Sequence, residues 1–274
     1  MEEIEDSSIQ LIVTSPPYYG AKMWNPLWKE LGFREVITDE CSEEEYYKVN
    51  SFLSGIWENC LRVLGGGGHI IVNTWDIASG RKFHGKWFNT ETVIQYMIQH
   101  GCRLSDSLVW KKAHPKLGPS GSYPYPCGIV MSALRENILI FEKLGTRTMV
   151  SQEIKEKSKL NKRDLLWTCD DIWEIREDSS KKLGHVCVYP VELPYRLIKL
   201  YSYYNDIVLD PFMGSGTTAV AAKILGRRYV GYEINMEFYN HCIDRINSVR
   251  IGEELKIESS KKFDDEYKQT KLNI

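Results

Sequence analysis

Short apolar runs recur along the chain and predict the strands of a buried sheet. Residues 8–14 contain one such run, Ile207 to Leu209 form another, and both are rich in Ile, Val and Leu. Apolar runs of four to eight residues are typical of strands that are covered on both faces. Further runs predict strands at His69–Asn73, Arg103–Trp110, Glu136–Phe141 and Tyr229–Glu233. We expect Arg103–Trp110 and Glu136–Phe141 to form a terminal pair in the sheet.

Amphipathic segments between these runs predict helices. The first follows Ser42, has the acidic start Glu43–Glu45, and carries its apolar residues at helical spacing as far as Leu61. Four consecutive glycines, Gly65–Gly68, come after this helix and before a strand, so they predict a flexible helix end rather than a phosphate-binding turn. Other helices are predicted at Thr90–His100, Ala219–Leu225 and 235–249. The alternation of strands and helices predicts an α/β fold.

The composition limits the classes of protein to which the chain can belong. The 274 residues, 43% hydrophobic and 26% charged, suffice for one large α/β domain with an insertion. A net charge of −2 favours no particular partner. The acidic N-terminus is unlike a signal peptide and no apolar run has membrane-spanning length, so we expect a soluble, cytoplasmic protein without a membrane partner. The seven scattered cysteines contain no Cys-x-x-Cys pair, which predicts reduced thiols and no metal site.

Glycines between a strand and a helix predict a ligand site at residues 210–218, Asp-Pro-Phe-Met-Gly-Ser-Gly-Thr-Thr. Gly214 and Gly216 lack side chains, so a ligand can approach the backbone at the start of the following helix. Glu233 ends the next predicted strand, about twenty residues beyond Asp210, where such folds place an acid on a ribose. The spacing differs from the dinucleotide pattern, and the segment predicts an adenosine-type cofactor; a tight structural turn is the alternative.

A second candidate site follows the first strand at Ser15-Pro16-Pro17-Tyr18. The two prolines stiffen the backbone and remove amide donors, so carbonyl groups and a hydroxyl remain at the strand end. Together with the aromatic ring, these groups could accept hydrogen bonds from a planar group and stack on its face. A purely structural turn is the alternative.

These two segments resemble known motifs. Residues 14–18 resemble the catalytic motif of amino-group DNA methyltransferases, and residues 209–218 resemble their S-adenosylmethionine motif. The catalytic motif comes first, as in the circularly permuted β group of that family, and the likeness extends from Ile9 to about Val249. The resemblance implies a Rossmann-like methyltransferase fold, with a mostly parallel seven-stranded sheet that contains one antiparallel strand. It also implies S-adenosyl-L-methionine as cofactor and double-stranded DNA as partner.

The resemblance assigns roles to individual residues. The amino group of a flipped base would donate to Ser15 Oγ and to the Pro16 carbonyl, while Pro17 stiffens the segment and Tyr18 stacks on the base. A serine at this position implies the N4 amino group of cytosine, with the N6 amino group of adenine as the alternative. Asn73 and Asp76 are further candidates near the cofactor. The cofactor-binding residues would be Thr14, His185, Tyr189, Pro190, Asp210, Pro211, Phe212, Gly214, Ser215, Gly216, Thr217 and Glu233.

Two tracts within residues 111–168 are expected to recognise the target sequence, because the family places such inserts between its two motifs. The candidate DNA contacts are Lys111, Lys112, Lys116, Lys155, Lys157 and Lys159. Glu153 and Glu156 interrupt the second tract, so a solvated helix face is the alternative there. We assign residues 1–250 to the catalytic domain and 251–274 to a charged tail. A restriction endonuclease partner and a homodimer are possible assemblies; a dinucleotide-dependent oxidoreductase or a catalytically silent DNA-binding module are the alternative functions.

Overall fold

A seven-stranded sheet lies at the centre of the part of the chain that the computed structural model describes, residues 1–21, 24–33, 43–78, 86–112, 120–121, 125–131, 134–176 and 189–255. The strands of the described ranges are β1 (Ile9–Thr14), β2 (Leu64–Thr74), β3 (Ile77–Ala78), β4 (Lys86–Trp87), β5 (Cys102–Lys112), β6 (Ser120–Gly121), β7 (Ile129–Val130), β8 (Arg135–Lys143), β9 (Ile172–Ile175), β10 (Ile207–Asp210) and β11 (Arg228–Gly231). The strand order of the sheet is β11-β10-β1-β2-β8-β5-β9, and β3-β4 and β6-β7 form two small ribbons.

The sheet is mostly parallel, with one reversed strand. Strand β1 pairs in parallel with β10 on one side and with β2 on the other. Strand β8 runs antiparallel to both of its neighbours, β2 and β5, whereas β5 and β9 are parallel. This topology confirms the predicted Rossmann-like methyltransferase sheet, and it brings the carboxyl ends of β1, β2, β5 and β10 to one edge.

Helices cover both faces of the sheet, which explains why the central strands β1 and β10 are mostly apolar. Leu11 and Val13 of β1 pack into one hydrophobic cluster, and Ile12 packs into the other. The helices of the described ranges are α1 (Asn25–Glu30), α2 (Glu43–Val63), α3 (Asn89–Gln99), α4 (Gln152–Lys157), α5 (Lys162–Leu166), α6 (Glu192–Tyr201), α7 (Thr217–Ile224) and α8 (Met236–Ser248). Helices α2 and α3 pack onto the cluster around Ile12, and α6 and α7 pack onto the cluster around Leu11.

The glycine run after α2 differs from its prediction. Residues Gly65–Gly68 belong to β2 and do not form a flexible helix end. Gly67 has a φ of +69°, and a Cβ atom there would lie 2.7 Å from the backbone nitrogen of Arg147. The glycines therefore allow the backbone around Arg147 to pack closely against β2. A local sequence pattern does not reveal such a long-range contact.

The edge of the sheet also differs from its prediction. Strands β5 and β8 are neighbours, as predicted, but they are not terminal, because β9 pairs in parallel with β5 outside them. The residues of β9 include Trp173, which lies opposite Trp110 and is buried. A four-residue strand between two charged segments carries too little periodicity to be recognised from sequence.

No helix in the described ranges is long and apolar enough to cross a membrane.

The reversed strand β8 is expected to contribute strongly to stability. Ile140 is fully buried in the cluster around Leu11, so Ile140→Ala removes packed methyl groups and leaves a cavity. We expect a loss of about 2–5 kcal/mol in the free energy of unfolding, measured by urea denaturation. Ile172→Ala is the matched control, because Ile172 lies in edge strand β9 and is 49% exposed. Equal losses in the two variants would contradict the described sheet.

Candidate active site

The two sequence motifs meet at the carboxyl edge of the sheet. Leu11 lies opposite Val208 and Ile12 opposite Leu209 in the parallel pairing of β1 with β10. Thr14 and Asp210, which end these two strands, are therefore neighbours although they are 196 residues apart in sequence. Ligands of open α/β sheets bind at such an edge, where the strand ends leave a crevice.

Residues 211–216, between β10 and α7, form the glycine loop. Asp210 is buried behind this loop, and hydrogen-bond donors surround its carboxylate. Its Oδ1 accepts hydrogen bonds from Thr14 Oγ1 at 2.6 Å and from the Phe212 backbone nitrogen at 3.0 Å. Its Oδ2 accepts from Thr218 Oγ1 at 2.6 Å and from the Tyr189 hydroxyl at 3.3 Å. Burial raises the pKa of Asp210, and these hydrogen bonds oppose the rise. The carboxylate thus connects β1, the loop and the first turn of α7.

Gly216 is required by packing. It has a φ of +82° at the start of α7, a backbone conformation that favours glycine. A Cβ atom there would also lie 2.5 Å from Cys242 Sγ of α8. The loop is therefore shaped by its fit against the last helix as well as by the backbone angle.

Two charged side chains form hydrogen bonds to the glycine loop. Glu233 Oε2 accepts a hydrogen bond from the Gly214 backbone nitrogen at 2.9 Å, and its Oε1 accepts from the Asn235 backbone nitrogen at 2.8 Å. Arg245 Nη1 of α8 donates to Ser215 Oγ at 2.8 Å and to Thr217 Oγ1 at 3.1 Å. Sequence reasoning missed Arg245, since it lies about thirty residues away on an otherwise ordinary amphipathic helix.

The Ser15 and Tyr18 hydroxyls are 2.7 Å apart. The Tyr18 hydroxyl donates its hydrogen to the backbone carbonyl of Asn73 at 2.5 Å, so the hydrogen between the two hydroxyls belongs to Ser15. Asn73 Nδ2 donates to Ser15 Oγ at 3.4 Å, so one lone pair of Ser15 Oγ remains as an acceptor. Tyr18 is only 4% exposed, which fixes its ring beside Ser15.

A buried polar group lies next to this pair. Asn73 Nδ2 donates to Glu136 Oε2 and lies 3.4 Å from both Ser15 Oγ and the Tyr18 hydroxyl. Glu136 in turn forms an ion pair with Lys112, with 2.7 Å between Nζ and Oε1. Glu136 was not among the predicted site residues, because the pattern of β8 assigned it only to a strand.

A cavity of about 480 Å³ joins these groups. Its lining includes Ser15, Tyr18 and Glu136 as well as Glu233 and Asn235. The predicted site residues that line it are Ser15, Pro17, Tyr18, Asn73, Lys112, Tyr189, Pro211, Phe212, Gly214, Ser215, Thr217 and Glu233.

Other predicted residues lie elsewhere. Thr14, Asp210 and Gly216 lie behind the cavity and shape it, and Pro16 lines a smaller neighbouring pocket. Asp76 Oδ1 accepts from the Thr90 backbone nitrogen in the first turn of α3, which gives it a structural role. Pro190 is buried beside Tyr189, and His185 lies outside the described residues.

The predicted DNA-contacting lysines differ in their surroundings. Lys111 is exposed and pairs with Glu174 at 3.2 Å, whereas Lys112 lies inside the cavity. Lys155 is exposed on α4, and Lys116 lies outside the described residues. Lys157 pairs with Glu153 at 2.8 Å and Lys159 with Glu156 at 3.6 Å, which fits the alternative of a solvated helix face.

The cysteines and acidic residues in the described ranges form no second candidate site. Cys60, Cys102 and Cys242 are buried, and burial raises the pKa of both Cys102 and Cys242 to about 11. Cys127 and Cys169 are exposed and free. No group of three or more His, Cys, Asp or Glu side chains that could hold a metal ion occurs in this part of the chain.

Comparison with known proteins gives consistent matches over most of the chain. The model of the N6/N4 DNA methylase family matches residues 9–244. The type II methyltransferase M.MthZI of Methanothermobacter thermautotrophicus is 34% identical over 266 residues, which cover 90% of this chain and 74% of that protein.

Solved structures also match. A candidate DNA modification methylase of Thermus thermophilus, solved with S-adenosyl-L-methionine, has a TM-score of 0.70 and 26% identity over 93% of this chain and 95% of that one. The cytosine-N4-specific PvuII DNA methyltransferase has a TM-score of 0.64 over 96% of this chain and 86% of that one; at 19% identity this likeness concerns the fold.

The Asp210 carboxyl should give stability a characteristic pH dependence. Because its pKa in the folded state lies above the unfolded value of 3.8, the native state binds the proton first as the pH falls. The contribution of Asp210 to the free energy of unfolding should therefore increase as the pH falls through the folded pKa, and level off below the unfolded one. The measurement is the difference in unfolding free energy between the wild type and Asp210→Asn across this range. A difference that shrinks with acidification would contradict the assignment.

Proposed function

We propose that this chain, which belongs to the N6/N4 DNA methylase family, transfers a methyl group to the exocyclic N4 amino group of a flipped cytosine in a specific duplex sequence. The chain is an S-adenosyl-L-methionine-dependent DNA methyltransferase, and DNA is its substrate. The choice of amino group and the residue roles are the proposal. The observation that carries it is the opening of Ser15 and Tyr18 into the same cavity as the glycine loop.

The cavity beside the glycine loop fits the cofactor. Its volume of about 480 Å³ lies within the range of small-molecule sites. Phe212, Tyr232 and Phe238 line it with aromatic surface, which suits a nucleoside. When bound, S-adenosylmethionine supplies the electrophilic methyl group that the amino nitrogen attacks.

Glu233 would bind the ribose hydroxyls of the cofactor. Its two oxygens each accept one backbone N–H, from Gly214 and Asn235. A carboxylate offers about four acceptor positions, so two remain for hydroxyl donors. The backbone contacts fix the direction of these positions, which makes Glu233 both a support of the loop and a ligand-binding residue.

Ser15 would orient the target amino group. The hydrogen of Ser15 is directed to Tyr18 and Asn73 Nδ2 donates to Ser15 Oγ, so one lone pair of Ser15 Oγ remains as an acceptor beside the cavity. One amino N–H would bind there and the other at the Pro16 carbonyl, while the Tyr18 ring contacts the base. Holding the reacting groups in a fixed geometry can supply much of the rate enhancement. This methyl transfer involves no covalent base adduct, so it requires no cysteine nucleophile.

The choice of cytosine rests mainly on the family tendency at Ser15. Adenine-modifying relatives mostly carry Asp or Asn at this position. The physical distinction is smaller, because a hydroxyl and a carbonyl can orient either amino group. Transfer to the N6 amino group of adenine is therefore the alternative. The oxidoreductase alternative is wrong, since it conflicts with the family.

Sequence recognition is proposed for the tracts within residues 111–168, inside a catalytic domain of residues 1–250. Part of the first tract, and the predicted tail from residue 256 onward, lie outside the described residues. M.MthZI is named a type II methyltransferase, which supports a cognate restriction endonuclease as partner. A homodimer is proposed from the sequence alone.

The modified nucleoside tests the proposed reaction. DNA treated with the enzyme and labelled S-adenosylmethionine is digested, and the labelled nucleoside is identified by mass. We expect N4-methylcytosine. Label only in N6-methyladenine would contradict the choice of base, label at carbon 5 of cytosine would contradict the mechanism, and the absence of label would favour a silent DNA-binding module.

Ser15→Ala should lower turnover by about tenfold to a hundredfold, because one hydrogen bond to the target amino group is lost. Affinity for S-adenosylmethionine, measured by calorimetry, should be nearly unchanged. Ser248→Ala, an exposed serine on α8, is the matched control and should leave turnover unaltered. Normal turnover of Ser15→Ala would remove Ser15 from the site.

Glu233→Ala should weaken S-adenosylmethionine binding by about 1–3 kcal/mol, the usual cost of losing charged hydrogen bonds. Glu233→Gln keeps one carbonyl oxygen and should lose less. The control is Glu237→Ala, because Glu237 is exposed on the first turn of α8. Unchanged cofactor affinity in Glu233→Ala, with thermal unfolding like that of the wild type, would show that Glu233 does not bind the ribose.

A further inference from the structure

Two adjacent lysines at the end of β5 have different surroundings. Side chains alternate across a strand, so Lys111 and Lys112 point to opposite sides. The Lys111 side chain is 58% exposed and pairs with the surface residue Glu174. The Lys112 side chain is 14% exposed and lines the cavity that also contains Ser15. Both lysines are candidate DNA contacts from the sequence, and their surroundings favour different roles for the two.

Lys112 is held in place by its neighbours. Its Nζ atom lies 2.7 Å from Glu136 Oε1, and the Glu136 side chain is only 4% exposed. The same Nζ atom lies 4.8 Å from the centre of the Trp75 ring and 5.4 Å from that of Trp110. An ammonium group has three N–H donors, so it can donate hydrogen bonds to Glu136 and to a ligand at the same time.

The ion pair connects directly to the proposed amino-group site. Glu136 Oε2 accepts from Asn73 Nδ2, which lies 3.4 Å from Ser15 Oγ. This contact fixes the amide orientation of Asn73, because only the NH₂ group can donate to the carboxylate. Asn73 Oδ1 is then buried without a hydrogen-bond partner in the described part of the chain. A buried acceptor of this kind, at a cavity wall, is suited to a polar ligand.

Stability alone does not explain the pair. Buried ion pairs often contribute little to stability, because removing two charges from water costs about as much as their attraction returns. An amino-bearing base carries a ring acceptor next to its amino group: N3 in cytosine and N1 in adenine. A flipped base is read along this edge, so a donor near the acceptor Ser15 complements it.

We propose that Lys112, positioned by Glu136, donates a hydrogen bond to the acceptor edge of the flipped target base. The inference rests on the proposed function, since it needs a base beside Ser15. Lys112 would contact substrate, and Glu136 would act through Lys112 as a positioning residue. A contact between Lys112 and a DNA phosphate is the competing interpretation, and it predicts a loss of affinity that does not depend on the base.

A comparison of two duplexes separates these interpretations. One carries the modified site, located by sequencing DNA that the wild-type enzyme has treated, and the other has the target base removed. Lys112→Met should weaken binding of the intact duplex by about tenfold to a hundredfold and leave binding of the abasic duplex nearly unchanged. Lys111→Met is the matched control; any loss there should be equal for both duplexes. S-adenosylmethionine affinity checks the fold of each variant.

Glu136→Gln should show the same dependence on the base, and the double variant should lose no more than the larger of the two single losses, because the two residues act as a unit. Lys112→Gln gives a second neutral variant that retains polarity. Equal losses on both duplexes would establish a phosphate contact and overturn the inference, as would no loss on either. A wild-type enzyme that methylates no DNA would instead contradict the proposed function, so the two failures are distinct.

Discussion

The buried carboxylate of Asp210 is the contact on which the active site depends. It accepts hydrogen bonds from Thr14 at the end of β1, from Phe212 in the glycine loop and from Thr218 in α7. A buried charge is costly unless donors surround it, so these segments must stay together for the carboxylate to be satisfied. Residues 15–18, which follow β1, and the glycine loop are thereby held at a fixed separation.

The rest of the site follows from this connection. Glu233, which follows β11, and Arg245 of α8 form hydrogen bonds to the glycine loop and fix its shape. On the other side, Tyr18 and Asn73 fix the hydroxyl of Ser15. Preorganised groups of this kind favour reaction because little reorganisation is needed when the substrates bind. Both sets of groups reach one cavity, where a cofactor and a base can meet.

The sequence predicted the features that depend on local patterns. The apolar runs predicted β1 and β10, and the glycines at 214 and 216 predicted the turn between β10 and α7. Long-range contacts were not accessible in this way: Arg245 reaches Ser215 from another helix, and Glu136 faces Lys112 only because β8 is antiparallel to β5. Gly67 was misinterpreted for the same reason, since its partner Arg147 lies far along the chain.

We propose that one cavity holds the target base at Ser15 and the cofactor at the glycine loop. A crystal structure with duplex DNA and a non-reactive S-adenosylmethionine analogue tests this arrangement most directly. We expect a flipped cytosine whose amino nitrogen lies within hydrogen-bond distance of Ser15 Oγ, and an analogue whose ribose contacts Glu233. A base that is held away from Ser15, or an analogue bound outside the cavity, would contradict it.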